Sequence, residues 1–293
     1  MFRETRRRRY LDAVDCFSPE QVKRLKAGLT ELMDPEHPRK ELWHEYHSNE
    51  APAESGTVLM HALGAWRIHQ DYHDLLFHPG LVVPAMQLMG PGPGGVRLLH
   101  DQLFCKPPRE GAVVAWHQDL SYWTRWTPGA FLTLHIAMDD QAVENGALHY
   151  VPGSHRWDVL PVTSQHFGDM DSILGVLDDG QKAAFAERRC VSLTAGQVSF
   201  HHPNTVHGSY GNGSDAPRRA TVVNMARDGV RVNTDKGPTM QGAPVEPFGA
   251  PIGGPLHPVL GVVPDGVDAG GPPPCSEPVE CVATGPWALD AEA

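Results

Sequence analysis

A chain of 293 residues, 41% hydrophobic and 20% charged, is long enough for one large domain or two small ones around a real core. Its composition is that of a globular protein and excludes a disordered or fibrous one. The formal net charge of −11 argues against nucleic acid or an anionic membrane surface as the main partner, and no apolar run approaches the roughly 18 residues of a spanning helix.

The opening MFRETRRRRY is basic but has no apolar stretch behind it, so it predicts a solvated terminus and not a secretory signal. Ser18 to Met33 predicts a helix: Ser18 as cap, Pro19 in the first turn, Gln21 closing a capping box, then Val22, Leu25, Leu29 and Leu32 at helical spacing. A second helical region covers His69 to Leu76. A third follows Pro79, with Leu81, Met86 and Met89 on one side.

From Val96 the pattern changes to short alternating or apolar runs: 96–104, 111–119, 130–139, 146–153, 189–202 and 219–228. In AFLTLHIAM, Phe131, Thr133, His135 and Ala137 face one way, Leu132, Leu134 and Ile136 the other. Turn signals such as Pro107-Pro108, Asn145-Gly146 and Gly211-Asn212-Gly213 separate the runs. Many short strands after leading helices predict a mainly β fold, a two-sheet jelly roll with flanking helices. The expected organisation is a helical region over residues 1–95, a β core over 96–228 with an insertion near 155–188, and a Pro/Gly-rich irregular tail over 229–293. The five cysteines (Cys16, Cys105, Cys190, Cys275 and Cys281) form no CxxC pair, which predicts reduced thiols and a cytoplasmic protein.

The tripeptide HQD occurs twice, at 69–71 and 117–119. In a strand, residues i and i+2 share a face; in a helix they stand about 200° apart and do not chelate one ion. His117 and Asp119 follow the strand-like AVVAW, so metal binding is assigned to the second copy. His69, His73 and His78 are read as surface or satisfied core histidines. A third ligand is sought in HHPNTVHGSYGNGSDAPRRA, where His207 precedes Ser209, an Asn-Gly turn and Arg218. The strands carrying His207 and Arg218 are expected to be antiparallel neighbours. Two imidazoles and a carboxylate make the facial triad of non-haem Fe(II) oxygenases, and arginine suits a bidentate carboxylate. From these residues alone, a zinc hydrolase and an unligated cluster remain open as alternatives.

WHQDLSYW, ENGALHYVPGSHRW and HGSYGNGSDAPRRA, in that order, resemble the phytanoyl-CoA dioxygenase family of Fe(II)/2-oxoglutarate-dependent oxygenases. The resemblance implies a double-stranded β-helix, with His117, Asp119 and His207 as iron ligands. It implies that Arg218 grips the far carboxylate of 2-oxoglutarate, with Ser209 assisting and Gln102 contacting the cosubstrate, while Arg219 points away. His135 departs from an often aromatic position; it is either a hydrogen bonder to the cosubstrate or a buried strand residue. Asp119 argues against halogenation, since family halogenases lack that carboxylate. The implied chemistry consumes O2, releases succinate and CO2 and hydroxylates a C–H bond; desaturation, epoxidation or cyclisation are alternative outcomes, and a cupin-like metal hydrolase or isomerase without 2-oxoglutarate is the rival. Tyr122, Trp123, Trp126 and Arg67 are candidates to line the substrate pocket, with core packing the competing reading for the aromatics. The acidic charge disfavours an acyl-CoA, leaving a small organic molecule, a specialised metabolite or amino-acid derivative, as the expected substrate.

Overall fold

The computed structural model describes residues 10–89, 95–163 and 168–261. The strands are β1 (Tyr10–Asp15), β2 (Glu45–His47), β3 (Met60–Leu63), β4 (Val96–Lys106), β5 (Val114–His117), β6 (Trp126–Thr127) and β7 (Phe131–Ala137), then β8 (Leu148–Tyr150), β9 (Arg189–Cys190), β10 (Gln197–His201), β11 (His207–Ser209), β12 (Arg218–Arg227), β13 (Arg231–Val232) and β14 (Val259–Gly261). The α-helices are α1 (Pro19–Leu32), α2 (Gln70–Leu75), α3 (Pro79–Met89) and α4 (Asp179–Ala186).

Helix α1 starts where its cap dictates. Ser18 Oγ accepts the Gln21 N–H at 3.3 Å and Gln21 Oε1 accepts the Ser18 N–H at 2.8 Å, so two otherwise orphaned donors are satisfied. Its apolar stripe of Val22, Leu25, Leu29 and Leu32 is buried. That stripe packs with Trp66, Tyr72, Leu75 and Leu81 and with Leu132, Leu134 and Ile136 of β7 in one hydrophobic core. The helices therefore cover one face of the sheet that β7 belongs to. In α3 the buried side is Leu81, Val82 and Ala85, with Met86 and Met89 only partly buried against the core.

That sheet has eight strands in the order β1-β10-β7-β12-β4-β3-β2, with β14 also pairing β4. A second sheet runs β5-β11-β8-β9. From β4 onward the chain passes repeatedly from one sheet to the other, which is the winding of a jelly roll. Strand β7 is buried along its whole length. Its odd-numbered middle residues face the space between the sheets and its even-numbered ones the helices, as the alternation predicts.

Three features differ from the expectation. Short strands β1, β2 and β3 occur before residue 95 and extend the large sheet. The strands carrying His207 and Arg218 are not neighbours: β11 pairs β5 and β8 in the small sheet, whereas β12 pairs β4 and β7 in the large one. Residues 210–217 cross between the sheets, and Asn212 of the Asn-Gly signal forms an isolated antiparallel bridge with Gly111, with the bend following at 214–216. Asn212 Nδ2 donates to the carbonyls of Pro107 and Ala216 at 3.0 and 2.8 Å. Third, the described part of the tail, expected to be irregular, contributes two short strands, β13 pairing β6 and β14 pairing β4; residues 262–293 lie outside the described residues. Among the described residues no helix is long and apolar enough to cross a membrane.

Candidate metal centre

His117 ends β5 and His207 begins β11, and the two are directly opposite in the antiparallel register. Cross-strand partners have adjacent side chains, and here the ring centroids are 4.3 Å apart. Asp119 opens the short 3-10 turn after β5. Its Oδ1 lies 3.5 Å from His117 Nε2 and 3.6 Å from His207 Nε2. One ligand atom from each of the three falls within 4.8 Å of the others. Gln118, fully buried, ties this turn down: its Nε2 donates to the Asn204 carbonyl at 3.0 Å and its Oε1 accepts the Leu160 N–H at 2.7 Å.

The surrounding hydrogen bonds fix which atoms are available. His117 Nδ1 donates to the Ala115 carbonyl at 2.7 Å and His207 Nδ1 to the Thr205 carbonyl at 2.9 Å, which leaves both Nε2 lone pairs for an ion. Asp119 Oδ2 accepts from Thr133 Oγ1 at 2.6 Å and from His201 Nε2 at 3.1 Å, so Oδ1 is the oxygen turned to the histidines. Burial raises the Asp119 pKa, but His207, His117 and His201 outweigh it and hold the carboxyl well below the usual range. Burial, and then the neighbouring His117, push His207 well below the ordinary imidazole value. Two imidazoles and a carboxylate are a donor set that can hold Fe(II).

The three residues open onto a cavity of about 710 Å³ that also exposes Gln102, His135, Ser209 and Arg218. Arg218 is 2% exposed. Burial lowers its pKa to about 10, so it stays a cation at neutral pH. It has no carboxylate partner among the described residues; Nη2 stands 3.5 Å from His135 Nε2 and Nε has no hydrogen-bond partner. A buried charge without a counter-charge is costly, and a ligand carboxylate meets that need. Arg219, its neighbour, points away and is saturated by Asp139 through Nε and Nη2 at 2.8 and 2.7 Å.

Across the register from Arg218 stands Lys106, fully buried. Its Nζ donates to Ser209 Oγ at 2.6 Å and to the Tyr210 carbonyl at 2.7 Å. Burial, and then Arg218, push this ammonium well below the usual lysine pKa. With the Ser209 oxygen accepting from Lys106, the Ser209 proton is directed elsewhere.

A sequence model of the phytanoyl-CoA dioxygenase family (PhyH) matches residues 8–220. The chain belongs to the phytanoyl-CoA dioxygenase family. It is 32% identical over 131 residues to a protein of Stutzerimonas stutzeri named as a probable alpha-ketoglutarate-dependent hypophosphite dioxygenase, covering 45% of each chain. It is 29% identical over 166 residues to the L-proline trans-4-hydroxylase of Streptomyces griseoviridis, covering 50% of this chain and 58% of that one. The chain spans about half the length of the curated relatives it matches. Among solved structures, the non-haem alpha-ketoglutarate-dependent carbocyclase SnoK from nogalamycin biosynthesis superposes with a TM-score of 0.66 at 25% identity, covering 87% of this chain and 93% of that one. The S. stutzeri protein and SnoK are both named as alpha-ketoglutarate-dependent.

Most of the residues singled out in this PhyH chain from its sequence meet in the cavity. Tyr122, Trp123 and Trp126 line it. Gln102 lines it too, with Oε1 accepting from His61 Nε2 at 3.0 Å, and His61 in turn holds Glu50 at 2.7 Å. His135 is buried, with Nε2 donating to Gln141 Oε1 at 3.0 Å. Arg67 is the exception: it does not line the cavity, because Nη1 donates to the Leu42 carbonyl at 2.8 Å. The first HQD copy is a helix start, with His69 Nδ1 accepting the Asp71 N–H and Asp71 paired with Arg24. Sequence reasoning missed Lys106, Thr133 as a partner of Asp119, and His201. Lys106 was within reach, since period-two counting from Gln102 puts it on the inner face.

Proposed function

We propose that this chain is an Fe(II)- and 2-oxoglutarate-dependent dioxygenase that hydroxylates an aliphatic C–H bond of a small organic substrate. The observation that carries the reading is one cavity holding both the His117, Asp119 and His207 cluster and a buried arginine with no carboxylate partner among the described residues. When bound, iron with 2-oxoglutarate and O2 supplies the oxidising chemistry, with succinate and CO2 as co-products.

The chain's own residues do the rest. His117, Asp119 and His207 hold the ion on one side and leave its other side to ligands. Thr133 and His201 hold Asp119 to a single metal-facing oxygen. Arg218 and the Ser209 hydroxyl hold the far carboxylate of the cosubstrate, with Lys106 behind them orienting that hydroxyl. Gln102 contacts the cosubstrate from β4, and His135, already bound to Gln141, buttresses Arg218. The aromatic wall of Tyr122, Trp123 and Trp126 faces the substrate and keeps water out.

The named hydroxylation of L-proline by one relative supports hydroxylation. The carbocyclase name of a structural neighbour supports ring closure as the second reading. A metal hydrolase without 2-oxoglutarate leaves the Arg218 charge unanswered. The test is anaerobic: Fe(II), then 2-oxoglutarate, is added to metal-free protein and the visible spectrum recorded. A weak charge-transfer band that needs both additions and is lost in Asp119→Ala is expected. Tight zinc binding with no such band would return the site to the hydrolase reading.

A further inference from the structure

The end of the cavity away from Arg218 carries unanswered hydrogen-bonding groups. Trp126 Nε1 and Thr239 Oγ1 are buried and have no hydrogen-bond partner among the described residues. Trp126 and Thr239 line the cavity, as does His100, with Asn224 directly beside it. Native structures satisfy nearly all buried polar atoms, so a pair of orphans on one cavity wall calls for a ligand.

Position and charge say what kind. His100, Asn224 and Thr133 form one cross-strand row on β4, β12 and β7, and Thr133 holds Asp119. By strand spacing His100 is thus about 10 Å from the Thr133 position, whereas the Arg218 backbone lies roughly 20 Å off along β12 and its guanidinium reaches back only as far as His135. Asn224 Nδ2 donates to His100 Nδ1 at 3.1 Å, which puts the ring proton on Nε2, a nitrogen without a partner among the described residues. Burial pushes His100 down to about 3, so the ring is neutral. It meets Trp123 edge-on at 5.1 Å and Trp126 at 6.2 Å. The wall thus offers three neutral donors among aromatic surfaces. The nearby cations that also line the cavity, Arg125 and Lys236, are exposed.

We propose that this end is the substrate subsite and that it takes an uncharged, planar ring compound bearing carbonyl or ether oxygens, which accept from Trp126 Nε1, Thr239 Oγ1 and His100 Nε2. The assignment rests on the oxygenase reading, which puts substrate beside the metal. An acyl-CoA or a free amino acid finds no buried counter-charge among these groups.

The probe is 7-methoxycoumarin, titrated anaerobically into the Fe(II)- and 2-oxoglutarate-loaded protein and followed by quenching of tryptophan fluorescence. Naphthalene is the oxygen-free control and L-proline the charged competitor. Saturable binding is expected, about tenfold tighter than naphthalene, weakened roughly five- to tenfold by Thr239→Val, which removes one donor and keeps the shape, and at least as much by Trp126→Phe, which removes one donor and part of the ring surface. No saturable binding, equal binding of naphthalene, indifference to both variants, or displacement by L-proline each overturns the proposal. The charge-transfer band is recorded first in every sample. Its presence with a failed coumarin titration sinks the subsite alone, whereas its absence in the wild type sinks the oxygenase reading.

Discussion

Asp119 divides its two oxygens between different jobs: Oδ1 faces the histidines, and Oδ2 is held by Thr133 and His201. Partners of this kind orient a ligand, and their loss typically weakens metal affinity by about 10- to 100-fold. Thr133→Val keeps the shape and removes the hydroxyl, so Mn(II) or Fe(II) affinity by calorimetry is expected to fall within that range; an unchanged affinity would mean Thr133 only fills space. The two adjacent arginines separate cleanly at this scale. Arg218→Ala is expected to raise the Kd for 2-oxoglutarate by roughly 10- to 100-fold, the worth of a charge-assisted hydrogen-bond pair. Arg219→Ala loses its contacts with Asp139 instead and is expected to leave that Kd within about twofold. Equal effects would undo the assignment.

At the scale of elements, the site depends on β5 and β11 staying in register. Gly208, between His207 and Ser209, sits so close to β5 that an added Cβ would stand 3.0 Å from the Val114 carbonyl oxygen and 3.2 Å from Trp116 Cα. Both neighbours are backbone, so β5 itself has to shift. Gly208→Ala is expected to cost about 1–3 kcal/mol in urea unfolding and to weaken metal binding as well; wild-type values for both would show that β5 yields without consequence. What the sequence disclosed follows the same division. The α1 cap, the strand alternation of β7 and the second HQD copy were legible because each is a local pattern with one physical meaning. Strands β1 to β3 were not: Glu45-Tyr46-His47 has no apolar alternation, and pairing with the large sheet is what makes it a strand. For Lys106 the inner face was legible by counting along β4, but its partners were not. Its acceptors come from Ser209 and Tyr210, far along the chain, and beside two prolines it reads as part of a turn.

For the molecule as a whole, buried neutral histidines set the response to acid. Burial pushes His100 to about 3 and His44 to about 4, whereas an unfolded histidine titrates near ~6.5. Below about 6.5 the unfolded chain takes up protons that the folded chain refuses, so stability is full above that pH and falls as pH drops toward about 4. Asp101, pushed up to about 6 mainly by burial, works the other way between about 6 and 3.9, but as one group against two. Each net proton of difference changes stability by about 1.4 kcal/mol per pH unit. The urea midpoint is expected to be lower at pH 5 than at pH 7; identical midpoints would mean that these rings are not kept neutral.

The placement of His207 and Arg218 on opposite sheets has a bearing on selectivity. Had both stood on one hairpin, their spacing would be a matter of turn geometry, open to change by a residue more or less. Across a sandwich the spacing is that of the two sheets, roughly 10 Å, and Lys106 of the large sheet ties it by donating to Ser209 of the small one at 2.6 Å. On the proposed reading the fold thus works as a calliper with welded jaws, matched to one length of diacid.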